Sequence, residues 1–305
     1  MSQYVTYTNC PACGAAPLQP VFACQDWLVS KQYFNIEQCP QCSLRITQQV
    51  PDAHAIGPFY DHPQYISHTD ADTGLINRLY KMVRQITLAQ KRKNLKSWLQ
   101  HVPAGPQGPR LLDIGCGTGA FLHTMQQAGW QVTGIEPDAG ARNRAISQYN
   151  LTVHPASQLD TLPAQHFEVI TFWHVMEHIH NLQHYWQQIR RLLIPGGLLV
   201  IAVPNYTSAD AAHYGALWAA YDVPRHLYHF SPMSMQQLAA SHGFEFLTQK
   251  PMWFDAWYIA LLSEKCKGGG GQLPKAVWQG LKCTWATLGH RQQSSSITYV
   301  FRRGA

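Results

Sequence analysis

Between Arg110 and Ala120 the chain reads Leu111-Leu-Asp-Ile-Gly-Cys-Gly-Thr-Gly119, an apolar strand that runs into a turn only glycines can make. Strand, glycine turn and helix in that order form a unit that binds nucleosides on exposed backbone N–H groups. Gly115 and Gly117 accept positive φ, and a helix is expected from about Ala120. The next hydrophobic run, Trp130–Ile135, ends at Glu136-Pro137, where a carboxylate can accept both hydroxyls of a ribose. These residues are half of a Rossmann-like unit, and the rest of the chain must complete an α/β sheet around them. Strands are expected near 110–114, 131–135, 151–154, 167–172 and 198–203 with helices between them, an alternation that implies parallel pairing. Ser231-Pro232 starts a further helix that Gly243 ends. Phe244–Gln249 and Ile297–Phe301 then close the sheet.

Gly115-x-Gly117-x-x-Ala120 also fits the dinucleotide fingerprint, so a nicotinamide cofactor has to be weighed. Asp113 argues against it, because its carboxylate lies where a pyrophosphate would bring like charge. The same carboxylate suits a ligand with an ammonium and a sulfonium and no phosphate, which describes S-adenosylmethionine.

The segment 111–119 resembles motif I of the class I S-adenosylmethionine-dependent methyltransferases, and Glu136-Pro137 resembles their acidic ribose-binding position. The resemblance continues through Phe167–His178 and through Leu192–Asn205. It implies a seven-stranded Rossmann-like methyltransferase sheet whose last strand is antiparallel. It also implies a cofactor pocket of Asp113, Gly115, Cys116, Gly117, Gly119, Glu136 and Pro137, with Trp173 and His174 packed on the cofactor and His178 facing the acceptor. Cys116 reads as a small filler of the turn and not as a nucleophile. Glu168 stands where the family has Asp, a departure of small expected consequence.

Eight cysteines divide into the paired Cys10-x-x-Cys13 and Cys39-x-x-Cys42 and the solitary Cys24, Cys116, Cys266 and Cys283. The paired set reads as a structural zinc ribbon, a closed tetrahedron with no position left for substrate. Disulfides are the alternative, and a reducing compartment disfavours them. The expected division is a zinc ribbon over 1–50, a cofactor-covering loop and lid helix with a linker over 51–105, and the main domain over 106–305. That domain carries an acceptor loop at 206–232 and an insertion at 251–296. Tyr60, Tyr65, Ser67 and His68 either cover the methionine end of the cofactor or are ordinary loop residues, and helical spacing places the lid helix over Leu75–Leu99.

His174-x-x-Glu177-His178 superficially matches an inverted zinc-peptidase motif, but its place at a strand end instead of within a helix argues against that chemistry. Glu177 and His178 either brace the loop or face the acceptor, and metal binding at His174, Glu177 and His178 is left open. In the loop Tyr221–Pro232, Arg225 can hold an anionic group and His226 or His229 can take a proton; bonds that tie this loop to the ribbon or core are the alternative. The aromatic insertion reads first as helical packing. A formal charge of +6 is modest and scattered, and no apolar run is long enough to span a membrane. A cytoplasmic enzyme is therefore expected. It transfers methyl groups to a small molecule, with a sugar or cell-surface glycan precursor as the leading class. The alternatives are an RNA methyltransferase with a basic face joining Arg78, Lys81, Arg84 and Lys91–Lys93 to the ribbon, and a non-catalytic cofactor-binding partner protein. The oligomeric state has no signature in the sequence.

Overall fold

The computed structural model describes residues 3–60, 75–99, 102, 108–268 and 272–304. Tyr65, Ser67 and His68 lie outside the described residues, as do the side chains of Arg78 and Lys81. The N-terminal strands are β1 (Tyr4–Val5), β2 (Gln19–Gln25), β3 (Tyr33–Gln38), β4 (Arg45–Thr47) and β5 (Val50–Pro51). The long helix α1 (Leu75–Trp98) comes next, with Leu88 and Leu95 buried two turns apart on its inner face.

The main sheet then builds by alternation: β6 (Arg110–Ile114), α2 (Ala120–Gln126), β7 (Gln131–Ile135), α3 (Ala139–Tyr149), β8 (Thr152–His154) and β9 (Phe167–Trp173). Next come α4 (Leu182–Leu192), β10 (Leu193–Pro204), α5 (Ala209–Tyr214), β11 (Tyr228–His229), α6 (Pro232–Ser241) and β12 (Phe244–Pro251). The chain closes with α7 (Asp255–Gly268), α8 (Leu273–Gly289) and β13 (Ser296–Arg303). Seven strands pair in the order β12-β13-β10-β9-β6-β7-β8. β6 to β10 run parallel where they pair, and β13 is antiparallel to both neighbours. Every residue of β9 from Phe167 to Phe172 is buried, as a central strand covered on both faces requires. Glu168 has a specific task there: it accepts from the Arg110 backbone N–H at 2.7 Å and from the Arg110 guanidinium at 2.6 Å, clamping the start of β6 to β9. The helix start expected at Ser231 is reinforced by a capping box, Ser231 Oγ accepting from Ser234 N and Ser234 Oγ from Ser231 N.

Strand β10 is longer than its apolar core predicts, because the chain continues pairing through Gly196-Gly197 by way of a register shift between Leu193 and Leu198. The insertion forms α7 and α8, which pack together where Gly280 leaves room for the Trp257 ring; a Cβ at Gly280 would lie 3.0 Å from that ring. The outer face of α8 keeps Trp278, Trp285 and Leu288 exposed, so only one side of the insertion is core.

The ribbon meander does not stand apart. β11 adds to it as a fourth strand, giving the order β11-β4-β3-β2. Thr47 Oγ1 donates to His226 O at 2.7 Å, Tyr206 Oη donates to Ser43 O at 2.6 Å, and Arg45 donates to Tyr221 Oη at 2.6 Å. Leu44 and Ile46 share one apolar cluster with Leu227, Tyr228 and the strands of the main sheet. The segment 206–232 is thus held between two sheets.

Candidate functional site

The carboxyl ends of β6, β7 and β9 converge on the glycine turn. Gly115 has φ +73, and a Cβ there would meet Val175 Cγ2 at 2.3 Å. Gly117 has φ +54 and open space on its Cβ side, so a ligand can approach its backbone. Ile135 O accepts from the N–H groups of Gly115 and Cys116 and locks the turn to β7. Glu136, nearly buried, reaches back over the turn: one carboxylate oxygen accepts from Gly117 N at 2.8 Å and the other from Asp138 N at 2.9 Å. Pro137 leads into α3, where Arg142 donates to the carbonyls of Glu136 and Pro137. Gly119, at φ +80, caps α2 against Ala145 and Leu151. Cys116 packs its sulfur beside Gly134, and burial pushes its thiol well up, as a filler requires.

Asp113 is buried under the turn and accepts from Thr171 Oγ1 at 2.6 Å, its directly paired neighbour on β9. Burial raises its carboxyl to about 7, more than the Thr171 bond and the nearby Lys91 charge lower it. Lys91 comes down from α1 with Nζ 3.9 Å from the centre of the Trp173 ring. Burial lowers its ammonium to about 8, against the pull of Asp113 and Asp255. This placement corrects the expectation of a basic outer face for Lys91: the fold turns it inward, because a lysine three residues from Leu88 and four from Leu95 sits within the apolar stripe of α1. A pH dependence results for Asp113. Its folded pKa of about 7 exceeds the ~3.9 of an unfolded Asp, so its contribution to stability is complete below about pH 4 and is lost as pH rises through about 7. Asp113→Asn keeps an acceptor for Thr171 and never ionises. Its melting temperature is therefore expected to gain on wild type between pH 4 and pH 8, whereas parallel curves would contradict this assignment.

Beyond β9, Trp173 packs edge-on against Phe121. His174 takes a positive φ of 58 and points to two carboxylates, Glu177 at 3.5 Å and Asp255 of α7 at 3.1 Å. Burial alone would lower this imidazole, but the two carboxylates outweigh it and raise the pKa to about 10, so His174 is an imidazolium. Asp255 has no motif around it in the sequence; only the fold brings the insertion to this strand end. The turn Met176–His178 comes next. His178 Nδ1 lies 3.0 Å from Arg225 O and 3.0 Å from Tyr60 Oη, and its ring meets His226 edge-on at 4.6 Å. Burial, with His226 beside it, lowers His178 to about 4, so it is neutral at pH 7.

Of the two parts expected for Arg225, the structure has the one that ties the loop to the ribbon. Arg225 is 1% exposed, donates from Nε to both oxygens of Asp222 at 3.0 Å, and reaches Asp26 of the ribbon at 3.2 Å and Phe59 O at 3.2 Å. With the guanidinium committed to these carboxylates, it holds the loop in place and does not face an acceptor. His229 is likewise engaged, its Nε2 3.0 Å from Thr47 Oγ1. A cleft opens on the other side of Trp173, with Lys91, Trp98, Lys250, Trp253 and Phe254 among its walls.

In the ribbon, Cys10 Sγ lies 3.5 Å from Cys42 Sγ and Cys13 Sγ 3.5 Å from Cys39 Sγ, all four within 4.8 Å of one another. Sulfurs about 2.3 Å from a tetrahedral zinc stand roughly 3.8 Å apart, so the four fit that ion.

The strand order with an antiparallel β13, and a glycine turn faced by an acidic strand end, define a Rossmann-like enzyme of the nucleoside-binding kind. A family model described as a methyltransferase domain matches residues 87–249, more than half of the chain, and the chain belongs to that family. It is 28% identical over 166 residues to a demethylmenaquinone methyltransferase of Tropheryma whipplei, covering 52% of this chain and 66% of that one. It is 32% identical over 133 residues to a ubiquinone biosynthesis O-methyltransferase of Maricaulis maris, covering 41% of this chain and 52% of that one. The chain thus spans between half and two thirds of the length of these relatives. The fold matches that of Haemonchus contortus phosphoethanolamine N-methyltransferase 2, solved with S-adenosyl-L-methionine, with a TM-score of 0.50 at 15% identity over 86% of this chain and 63% of that one. Among the described residues no helix is long and apolar enough to cross a membrane.

Proposed function

We propose that this protein transfers the methyl group of S-adenosylmethionine to a hydroxyl on a small, planar ring. The observation that carries the reading is the pocket itself: Glu136 bridges the Gly115–Gly117 turn where a ribose would lie, with buried Asp113 behind them. The bound cofactor supplies a methyl group on a sulfonium. Lys91, poised over Trp173 and facing Asp113, moves aside or pairs with the cofactor carboxylate, and α1 covers the site. Held by Glu136 and the Gly115–Gly117 turn, S-adenosylmethionine would supply an electrophilic methyl group to an acceptor oxygen, whose proton would pass to water. Positioning supplies most of the rate.

The sugar class expected from the sequence finds no support among the relatives, whose names concern quinones. The aromatic walls at Trp98, Trp173, Trp253 and Phe254 favour stacking on a flat ring. The test is methyl transfer from labelled S-adenosylmethionine to a panel of hydroxylated aromatic rings, nucleotide sugars and RNA. Labelling of the ring compounds is expected. Labelling of sugars or RNA alone contradicts the acceptor class, and cofactor binding with no transfer to any compound points to the non-catalytic partner.

Cys10, Cys13, Cys39 and Cys42 hold structural zinc in this reading, and the ion acts on the site through β4 and β11. Stripping it with a strong chelator is expected to release one zinc per chain and to lower the melting temperature sharply, because a closed site contributes its binding energy to folding. A protein free of zinc as isolated, with unchanged melting, contradicts the assignment.

A further inference from the structure

We infer that the cleft beside Trp173 takes an acceptor ring that carries a carboxylate, and that Lys250 and Asn94 hold this carboxylate. The inference deepens the function proposed above and rests on it for the reaction; the anion site itself is argued from the cleft.

The floor of the cleft is one row of the main sheet. Trp173 at the end of β9 pairs with Ala202 of β10, Ala202 with Thr298 of β13, and Thr298 with Lys250 of β12. Residues directly opposite one another on paired strands point to the same face, so Trp173 and Lys250 end this row with two small side chains between them. Three inter-strand spacings put their Cα atoms about 14 Å apart. The roof is α1, which lines the cleft with Thr87, Lys91, Asn94 and Trp98, a single stripe at helical spacing. An acceptor whose hydroxyl lies at the Trp173 end therefore presents its far side to Lys250.

The two ends of the cleft differ in how their charges are used. At the Trp173 end, the wall carboxylate Asp255 lies 3.1 Å from the His174 imidazolium, which answers its charge. At the far end, Lys250 Nζ donates to Asn94 Oδ1 at 3.0 Å and lies 5.2 Å from the centre of the Trp98 ring. An amide oxygen and an aromatic face orient an ammonium without neutralising it, and among the described residues no carboxylate pairs with Lys250. Gln90 Nε2 donates to the same Asn94 oxygen at 3.0 Å. With both bonds on Oδ1, the Asn94 Nδ2 hydrogens are presented beside the ammonium. One ammonium and one amide N–H side by side fit the two oxygens of a carboxylate, whose single charge this end of the cleft matches. The indoles of Trp98 and Trp173 flank the space between and suit the ring itself.

The test compares 3,4-dihydroxybenzoate with 3,4-dihydroxybenzamide, which has nearly the same shape and no charge. Each is offered as an acceptor of labelled methyl groups, and as a ligand of the full chain loaded with S-adenosylhomocysteine in calorimetry. Wild type is expected to favour the acid by about tenfold or more in kcat/KM and in affinity, the range for a hydrogen bond to a charged group. In Lys250→Met that preference is expected to fall to near parity through a higher KM for the acid, whereas Lys250→Arg keeps most of it. Asn94→Asp, which sets a negative charge against the ammonium, is expected to abolish it as well and serves if Lys250→Met does not fold. Equal treatment of acid and amide by wild type, or binding of neither, overturns the inference, as does a preference that the folded Lys250→Met or Asn94→Asp protein retains in full. A tenfold loss of S-adenosylmethionine affinity in Lys250→Met also overturns it, because Lys250 then belongs to the cofactor. Binding that favours the acid, with no transfer to either compound, leaves this site standing and removes the proposed function; transfer to both alike removes only the site.

Discussion

Arg225→Ala is expected to be the most destabilising single substitution among the site residues, at about 3–5 kcal/mol in denaturant unfolding, the range for removing one partner of a buried ion pair. The guanidinium lies between Asp222 of the loop and Asp26 of the ribbon, and all three groups are withdrawn from bulk water to differing degrees, with side-chain exposures of 2%, 25% and 0%. Asp26 retains four other donors, the N–H groups of Leu28, Val29 and Ser30 and the Ser30 hydroxyl, so its charge remains partly answered. Asp222 loses its principal partner, and Phe59 O loses a donor at 3.2 Å. Arg225→Lys keeps a charge but not the fork, and is expected to fall between alanine and wild type. Cofactor affinity measured below the unfolding transition should change little, because the Arg225 guanidinium is committed to Asp222 and Asp26 and not to the glycine turn. A large loss of cofactor binding in a folded Arg225→Ala protein would return this residue to the ligand site.

Glu136→Gln is expected to act in the opposite way, with a small effect on stability and a large one on the cofactor. Hydrogen bonds to a charged group are worth about 1.5–3 kcal/mol, so weakening the ribose contacts should reduce S-adenosylmethionine affinity by about 10- to 100-fold. The amide also presents a donor where Gly117 N or Asp138 N already donates, which disturbs the turn that the carboxylate bridges. Calorimetric titration of the variant against S-adenosylhomocysteine measures the loss, with the melting temperature as control; unchanged affinity would remove Glu136 from the pocket.

The parts of this molecule that are legible in the sequence are those in which local chemistry decides the outcome. The glycine turn, the alternation of strands and helices, the helix start at Ser231 and the two Cys-x-x-Cys knuckles each carry their own conformational demand, and each forms where expected. The residues that are not legible depend on long-range placement. Asp255 reaches His174 only because α7 folds back over the end of β9. Thr171 supports Asp113 only through the register of β6 on β9. Arg225 reads either as an anion ligand or as a tie to the ribbon, and no local pattern picks out its partner Asp26, 199 positions away. Lys91 is intermediate: its place in the apolar stripe of α1 is visible, but a run of neighbouring basic residues makes an outer face the simpler reading.

The shape of the acceptor loop depends on the same distinction. Residues 226–229 read as part of an open acceptor loop, whereas two of them, Tyr228 and His229, pair with β4 as an edge strand. His178 and His226 face each other because a ribbon far from them in sequence is docked on the main sheet. Zinc in that ribbon and chemistry at the turn 176–178 are coupled in this account through a few backbone bonds.

The most direct test of the central claim is calorimetric titration of the zinc-loaded protein with S-adenosylmethionine, S-adenosylhomocysteine and NAD. The pocket described here predicts micromolar binding of both sulfur cofactors, and none of NAD. Selective binding of NAD would contradict it and would make the glycine turn that of a dinucleotide enzyme.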